Sequence, residues 1–214
     1  MSRVELLEEM QRSRLVAVVR SKTPEEALAL AQAAVDGGIK FVEITFSVPG
    51  ALDVIKNLSG HASAHVGAGT VLSKKQAESA IGAGAKFIVS PTLELDLIPM
   101  CHVANIACFP GAATPTEILT AARAGADLVK IFPADLVGGV DFIRQMAGPF
   151  HEVRFMVSGG VSLSNVKDYV QVGVIGICLG SAYLGSFLAQ HGRERFVEEM
   201  GKFTQAVGEA QALH

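Results

Sequence analysis

Apolar residues occur along this chain in short runs, separated by longer amphipathic stretches that open on a hydroxyl residue and close on glycine. Residues 15–19 are wholly apolar and end at Arg20. Thr23-Pro24-Glu25-Glu26 then opens a helix, with a hydroxyl N-cap, proline at the first helical position and glutamate at the third. Its apolar face runs through Ala27, Leu30, Ala31 and Ala34 to Gly37-Gly38, a C-cap signal, and a strand over 40–46 follows. The same grammar returns three times. Ser73-Lys74-Lys75-Gln76 opens a helix closed near Gly84, before a strand at 86–90. Thr114-Pro115-Thr116-Glu117 opens one closed at Gly125, before a strand around Lys130. Ser162 or Ser164 opens one closed at Gly173, before a strand at 174–180. The period of roughly 40 to 50 residues is that of two strand-plus-helix units. The remaining stretches supply helices near 50–60, 93–103, 138–147 and 191–209, and strands near 64–70, 104–109 and 152–158.

Eight strands, each followed by a helix, imply a parallel sheet closed on itself. The expected architecture is an α/β (β/α)8 TIM barrel, one domain over 1–214, with an additional N-terminal helix opened by the Ser2-Arg3-Val4-Glu5 capping box. An open doubly wound sheet is the alternative. It would bind at a glycine-rich turn after the first strand, and that turn here is Arg20-Ser21-Lys22-Thr23.

Composition narrows the function. Half of the 214 residues are hydrophobic, enough for a large core, and a net charge of −3 without basic runs argues against nucleic acid as a partner. Cys101, Cys108 and Cys178 show no pairing pattern, so a reducing cytoplasm is the expected setting. Residues 169–192 carry no Asp, Glu, Lys or Arg and are long enough to span a bilayer. Gly173, Gly176, Gly180, Gly185 and Gly192 divide them, which favours buried strand, turn and short helix over a membrane span.

Catalytic groups of a barrel stand at the C-terminal ends of its strands. Those ends read Arg20, Glu43 and Thr45, Gly69-Thr70, Ser90-Pro91, Pro110-Gly111, Lys130, Ser158-Gly159-Gly160 and Gly180-Ser181. Lys130 interrupts the apolar run 128–134, and Glu43 interrupts 41–45. Glu43 and Thr45 share parity, so both face the same side of their strand. The plainer explanation of a lysine and a glutamate on two core strands is a buried salt bridge, which contributes little to stability. The chemical one is a Schiff-base lysine with a neighbouring acid/base. An amine attacks a carbonyl only when unprotonated, and an apolar setting favours the neutral form. Gly159-Gly160 and Gly180-Ser181 follow the last two strands, where glycines and a helix N-terminus suit a phosphate. A metal site is not expected, because His61, His65, His102, His151, His191 and His214 are dispersed. No Gly-x-Ser-x-Gly elbow or Walker loop is present.

Together, Glu43-Ile44-Thr45, Gly67-Ala68-Gly69-Thr70-Val71, Ser90-Pro91, Pro110-Gly111, Lys130-Ile131-Phe132-Pro133-Ala134, Gly148-Pro149-Phe150 and Gly159-Gly160 resemble the 2-keto-3-deoxy-6-phosphogluconate (KDPG) and 4-hydroxy-2-oxoglutarate (KHG) aldolases. The resemblance covers essentially the whole chain in order. It implies a homotrimeric class I aldolase without metal or other cofactor, acting on a small phosphorylated 2-keto acid and releasing pyruvate, with no membrane partner. Lys130 would form the Schiff base and Glu43 would move protons. Thr70 and Arg20 would hold the pyruvyl carboxylate, and the 159–160 and 180–181 turns the 6-phosphate. Thr45, Ser47, Pro91 and Ser158 complete the expected substrate contacts. Ser47 is a departure: many members carry an arginine there as a carboxylate anchor, so substrate choice is left open between KDPG, its galactonate epimer and KHG. A phosphosugar epimerase or decarboxylase on the same barrel, or a non-catalytic scaffold, are the readings from other classes.

Overall fold

The computed structural model describes residues 1–61 and 63–213, so His214 lies outside the described residues. The elements run α1 (Arg3–Ser13), β1 (Leu15–Val19), α2 (Pro24–Asp36), β2 (Phe41–Thr45), α3 (Ala51–Leu58), β3 (His65–Gly69), α4 (Lys74–Gly82), β4 (Phe87–Val89), α5 (Leu97–Val103), β5 (Ala107–Phe109) and β6 (Gly111–Ala112). They continue through α6 (Pro115–Arg123), β7 (Val129–Ile131), α7 (Gly139–Ala147), β8 (Phe155–Ser158), α8 (Val166–Gln171), β9 (Gly176–Leu179) and α9 (Ser181–Gln211).

Helices begin where the chain supplies hydroxyls. Thr23, Ser73 and Thr114 each accept the N–H three residues on, at 3.2, 3.3 and 3.3 Å, satisfying donors that the first turn leaves free. Ser2 and Glu5 form the reciprocal box at α1. The opening of α8 corrects the expectation: its N-cap is Asn165. Ser162 forms the preceding turn, its N–H donating to Asn165 Oδ1 at 2.9 Å and its carbonyl accepting from Val166 at 3.0 Å. The final helix also starts earlier than 191, at Ser181, and Gly192 with φ 76° breaks it into two limbs. No described helix is long and apolar enough to cross a membrane.

The strands are parallel in the order β5-β4-β3-β2-β1-β9-β8-β7-β6, an α/β barrel of eight staves in which the fifth is divided at Pro110. Its lower part, β5, ladders onto β4, and its upper part, β6, onto β7. Lys130 therefore stands on β7 by strand count, although on the sixth stave. The carbonyls of Cys108 and Pro110 accept from Asp127 and Lys130 at 3.1 and 2.8 Å, which carries the hydrogen bonding across the division. Proline has no N–H to give, so the break falls where the ladder needs only its carbonyl.

Side-chain alternation separates two cores. Outward residues such as Leu15, Ala17, Ile44, Val66, Ile88, Val129 and Ile177 pack against the helices. Inward residues Val16, Val18, Phe41, Phe87, Phe109, Leu128, Met156 and Cys178 pack with Leu6, Leu7 and Met10 of α1, which thus plugs the N-terminal end. Phe41, Phe87 and Phe109 stand in a row with ring centroids 5.9 and 5.6 Å apart, an apolar floor below the barrel mouth.

Asp127, 5% exposed, fastens this end. Its Oδ2 accepts from the Cys108 N–H at 2.9 Å and meets His102 Nε2 at 3.1 Å, while Arg3 Nη1 of the plug lies 3.5 Å from Oδ1. His102 is satisfied near the end of α5 by this contact, and His65 packs its ring on Phe41. Replacing Asp127 by Ala leaves a buried N–H without its acceptor. Urea denaturation of Asp127→Ala is expected to show a loss of about 1–3 kcal/mol; an unchanged midpoint would mean that the plug holds without this carboxylate.

Candidate active site

Inward parity on β2 and β7 brings Glu43 and Lys130 together. Lys130 Nζ lies 3.7 Å from Glu43 Oε1, and the two residues are 5% and 1% exposed. A pair this dry is bound by direct attraction, and isolating either charge would cost several kcal/mol by the usual desolvation arithmetic, on the order of 3–5 kcal/mol. The second carboxylate oxygen, Oε2, is buried and has no hydrogen-bond partner among the described residues. Native structures seldom leave such an atom idle, and a carboxylate with one oxygen beside the amine and the other unpartnered is placed to take or return a proton. The ammonium also lies 5.4 Å from the centroid of the Phe132 ring, a cation–π contact at the mouth.

Gly69, on the neighbouring strand, makes the space. A Cβ there would fall 2.0 Å from Glu43 Oε1. Cys178 closes the other side: it faces Ser158 across the β8–β9 ladder. Burial pushes its thiol pKa up to about 12, with the Glu43 charge adding to this and Lys130 and the Ser158 hydrogen bond opposing it. It is thus a neutral wall of the site. In the sequence Cys178 shows only as a thiol without a pairing pattern; its inward parity, two residues before Gly180, is the signal that points to the site.

The other expected residues divide. Thr45 is 1% exposed and holds its hydroxyl on the Val19 carbonyl at 3.0 Å and on Ser47 Oγ at 2.8 Å; Ser47 itself is exposed at the rim. Thr70 ends β3 in the left-handed region, φ 57°, half-buried. Pro91, half-buried, packs its carbonyl 2.2 Å from where a Gly111 Cβ would stand. Ser158 is buried at the top of β8. Gly159 and Gly160, at φ 112° and 68°, form the expected open turn, but Asp135 lies against it: a Gly159 Cβ would meet Asp135 Oδ1 at 2.6 Å. Gly180 caps α9 and Ser181 is its first residue, so this turn presents a helix N-terminus. Arg20 departs from the set. It is exposed and lines a separate groove of about 430 Å³ between α2 and α9, with Lys22, Leu30 and Leu188.

Comparisons with known proteins agree with one another. The family described as "Aldolase: KDPG and KHG aldolase" matches residues 6–198. The 2-dehydro-3-deoxy-phosphogluconate aldolase of Treponema pallidum is 37% identical over 179 residues, 83% of this chain and 85% of that protein. The crystal structure of the corresponding Zymomonas mobilis aldolase superposes with a TM-score of 0.82 at 28% identity, covering 94% and 96% of the two chains. A KDPG aldolase from Legionella pneumophila, with pyruvate captured as a covalent carbinolamine, gives a TM-score of 0.76 at 27% identity over 94% and 95%.

The close fit of Gly69 under Glu43 has a measurable consequence. Gly69→Ala is expected to cost about 1–3 kcal/mol, the usual penalty of overpacking. Because the obstruction is the Glu43 side chain itself, the double variant Gly69→Ala/Glu43→Ala should lose less than the sum of the single losses. Strictly additive losses in urea titrations would place the strain elsewhere.

Proposed function

This chain belongs to the KDPG and KHG aldolase family, and from that premise we propose that it is a class I aldolase working through a Schiff base on Lys130. It cleaves 2-keto-3-deoxy-6-phosphogluconate to pyruvate and glyceraldehyde 3-phosphate, an aldehyde-lyase reaction of the Entner–Doudoroff type. The observation that carries the reading is the buried Lys130–Glu43 pair, 3.7 Å apart above a largely apolar barrel interior. The Lys130 amine adds to C2 of the substrate, and loss of water gives an iminium. The C4 hydroxyl gives up its proton to Glu43 while the electrons of the C3–C4 bond flow into the iminium. Glyceraldehyde 3-phosphate leaves. The resulting enamine takes a proton at C3, and water releases pyruvate and restores the amine. A carboxylate with one oxygen beside the amine and the other unpartnered suits each of these proton transfers.

Thr70 would hold the pyruvyl carboxylate, and the turns at Gly159-Gly160 and Gly180-Ser181 the phosphate. Ser181, on the helix N-terminus, is the better supported phosphate contact, since Asp135 stands beside the other turn. Arg20, just past the end of β1, would be a second contact for the pyruvyl carboxylate. The proposal includes assembly as a homotrimer, which the family resemblance supports, and residence in the cytoplasm, which three free cysteines support.

Lys130→Met keeps an apolar chain of similar length and should leave the fold intact while abolishing turnover. Mass spectrometry after borohydride and pyruvate should find one adduct, on Lys130, in the parent protein and none in the variant. An adduct on another lysine would overturn the assignment. Glu43→Gln should retain substrate binding and slow turnover by a factor of about 10²–10⁴. Near-normal rates in a protein that melts early would instead mark the pair as a structural salt bridge. Ser181→Ala should weaken KDPG by about 1.5–3 kcal/mol, the worth of a hydrogen bond to a charged group, and spare KHG, which has no phosphate. Equal losses on both substrates would move the phosphate away from α9.

A further inference from the structure

The hydroxyls of Thr45 and Ser47 form a chain whose direction can be worked out by counting protons. A hydroxyl has one proton to donate and two lone pairs to receive. The Val19 carbonyl can only accept, and Thr45 Oγ1 donates to it at 3.0 Å. That bond uses the one proton Thr45 has. The contact at 2.8 Å between Thr45 Oγ1 and Ser47 Oγ must then run from serine to threonine. The relay is Ser47 to Thr45 to Val19, from an exposed residue to a buried one. The backbone keeps it in place, with the Phe46 N–H on the Gly69 carbonyl at 2.9 Å and the Val48 N–H on the Thr45 carbonyl at 3.0 Å.

Ser47, exposed in the turn that follows β2, therefore has lone pairs only to offer. A carboxylate also offers only lone pairs, so Ser47 is the wrong partner for one. Thr70, which follows Gly69, the register partner of Thr45, has no side-chain hydrogen-bond partner among the described residues, so its proton is free. The rim thus presents one hydroxyl committed as an acceptor and one available as a donor. We propose that Ser47, oriented by Thr45, is a specificity-determining residue that accepts a hydrogen bond from a hydroxyl on the substrate's carbon chain. It does not anchor the carboxylate. Thr45 is the positioning residue: it is too deeply buried to reach substrate and acts by fixing which way the Ser47 proton points.

This inference rests on the aldolase reading and is separable from it. Pyruvate has a carboxylate and a keto group but no hydroxyl, so its capture on Lys130 by borohydride tests the aldolase reading alone. KDPG cleavage adds the hydroxyl contact. In Ser47→Ala, pyruvate capture should keep its half-saturating concentration, while kcat/KM for KDPG falls about 3- to 10-fold, the span expected for one neutral hydrogen bond. Thr45→Val should lower kcat/KM for KDPG similarly by releasing the Ser47 proton, and Thr45→Ser should restore it. If Thr45→Val fails to fold, the Ser47 and Thr45→Ser measurements still decide. A loss of pyruvate capture equal to the loss on KDPG would make Ser47 a carboxylate ligand and overturn the proposal. So would an unchanged kcat/KM for KDPG in Ser47→Ala.

Discussion

An amine and a carboxylate held 3.7 Å apart, on residues 5% and 1% exposed, constrain much of this barrel. Charges in such a setting attract strongly but have each given up hydration worth several kcal/mol, on the order of the attraction itself. The arrangement persists because the surroundings leave neither group an alternative. The aromatic row of Phe41, Phe87 and Phe109 closes the space beneath, and α1 closes the end of the barrel beneath that. Gly69 gives the carboxylate its place, and Cys178, kept neutral by burial, adds no competing charge. What remains open is the mouth, where a substrate would enter.

How much of this could be read from the sequence follows from the range of each interaction. Caps were legible because they join residues three apart: Thr23, Ser73 and Thr114 do what their positions promise. Glu43 and Lys130 were legible because a charge inside an apolar strand is conspicuous and parity says which way it faces. The misjudged opening of α8 is a local ambiguity, since Ser162, Ser164 and Asn165 all cap well and the turn geometry chose Asn165.

The rest depends on which strands lie side by side. Gly69 could be recognised in a motif, but its purpose appears only when β2 and β3 are in register and the missing Cβ is seen to be the space Glu43 fills. Arg20 was expected near the mouth because its strand ends there, and its exposed position beside a groove between α2 and α9 is set by how those helices pack, which the strand pattern does not report. The Ser47–Thr45–Val19 relay crosses from one strand to the next and ends on a backbone carbonyl, which no side-chain pattern reports.

The division at Pro110 bears on how the ring closes. Six of the eight junctions between staves join undivided strands, where a one-residue slip would turn every inward side chain outward. The fifth stave changes partner partway up, bonding β4 below and β7 above. Its two halves are joined through a residue that can accept from Lys130 but cannot donate in return. The junction thus behaves like the stop on a zip. The circle shuts in one step of the count, and in that step Lys130 points inward.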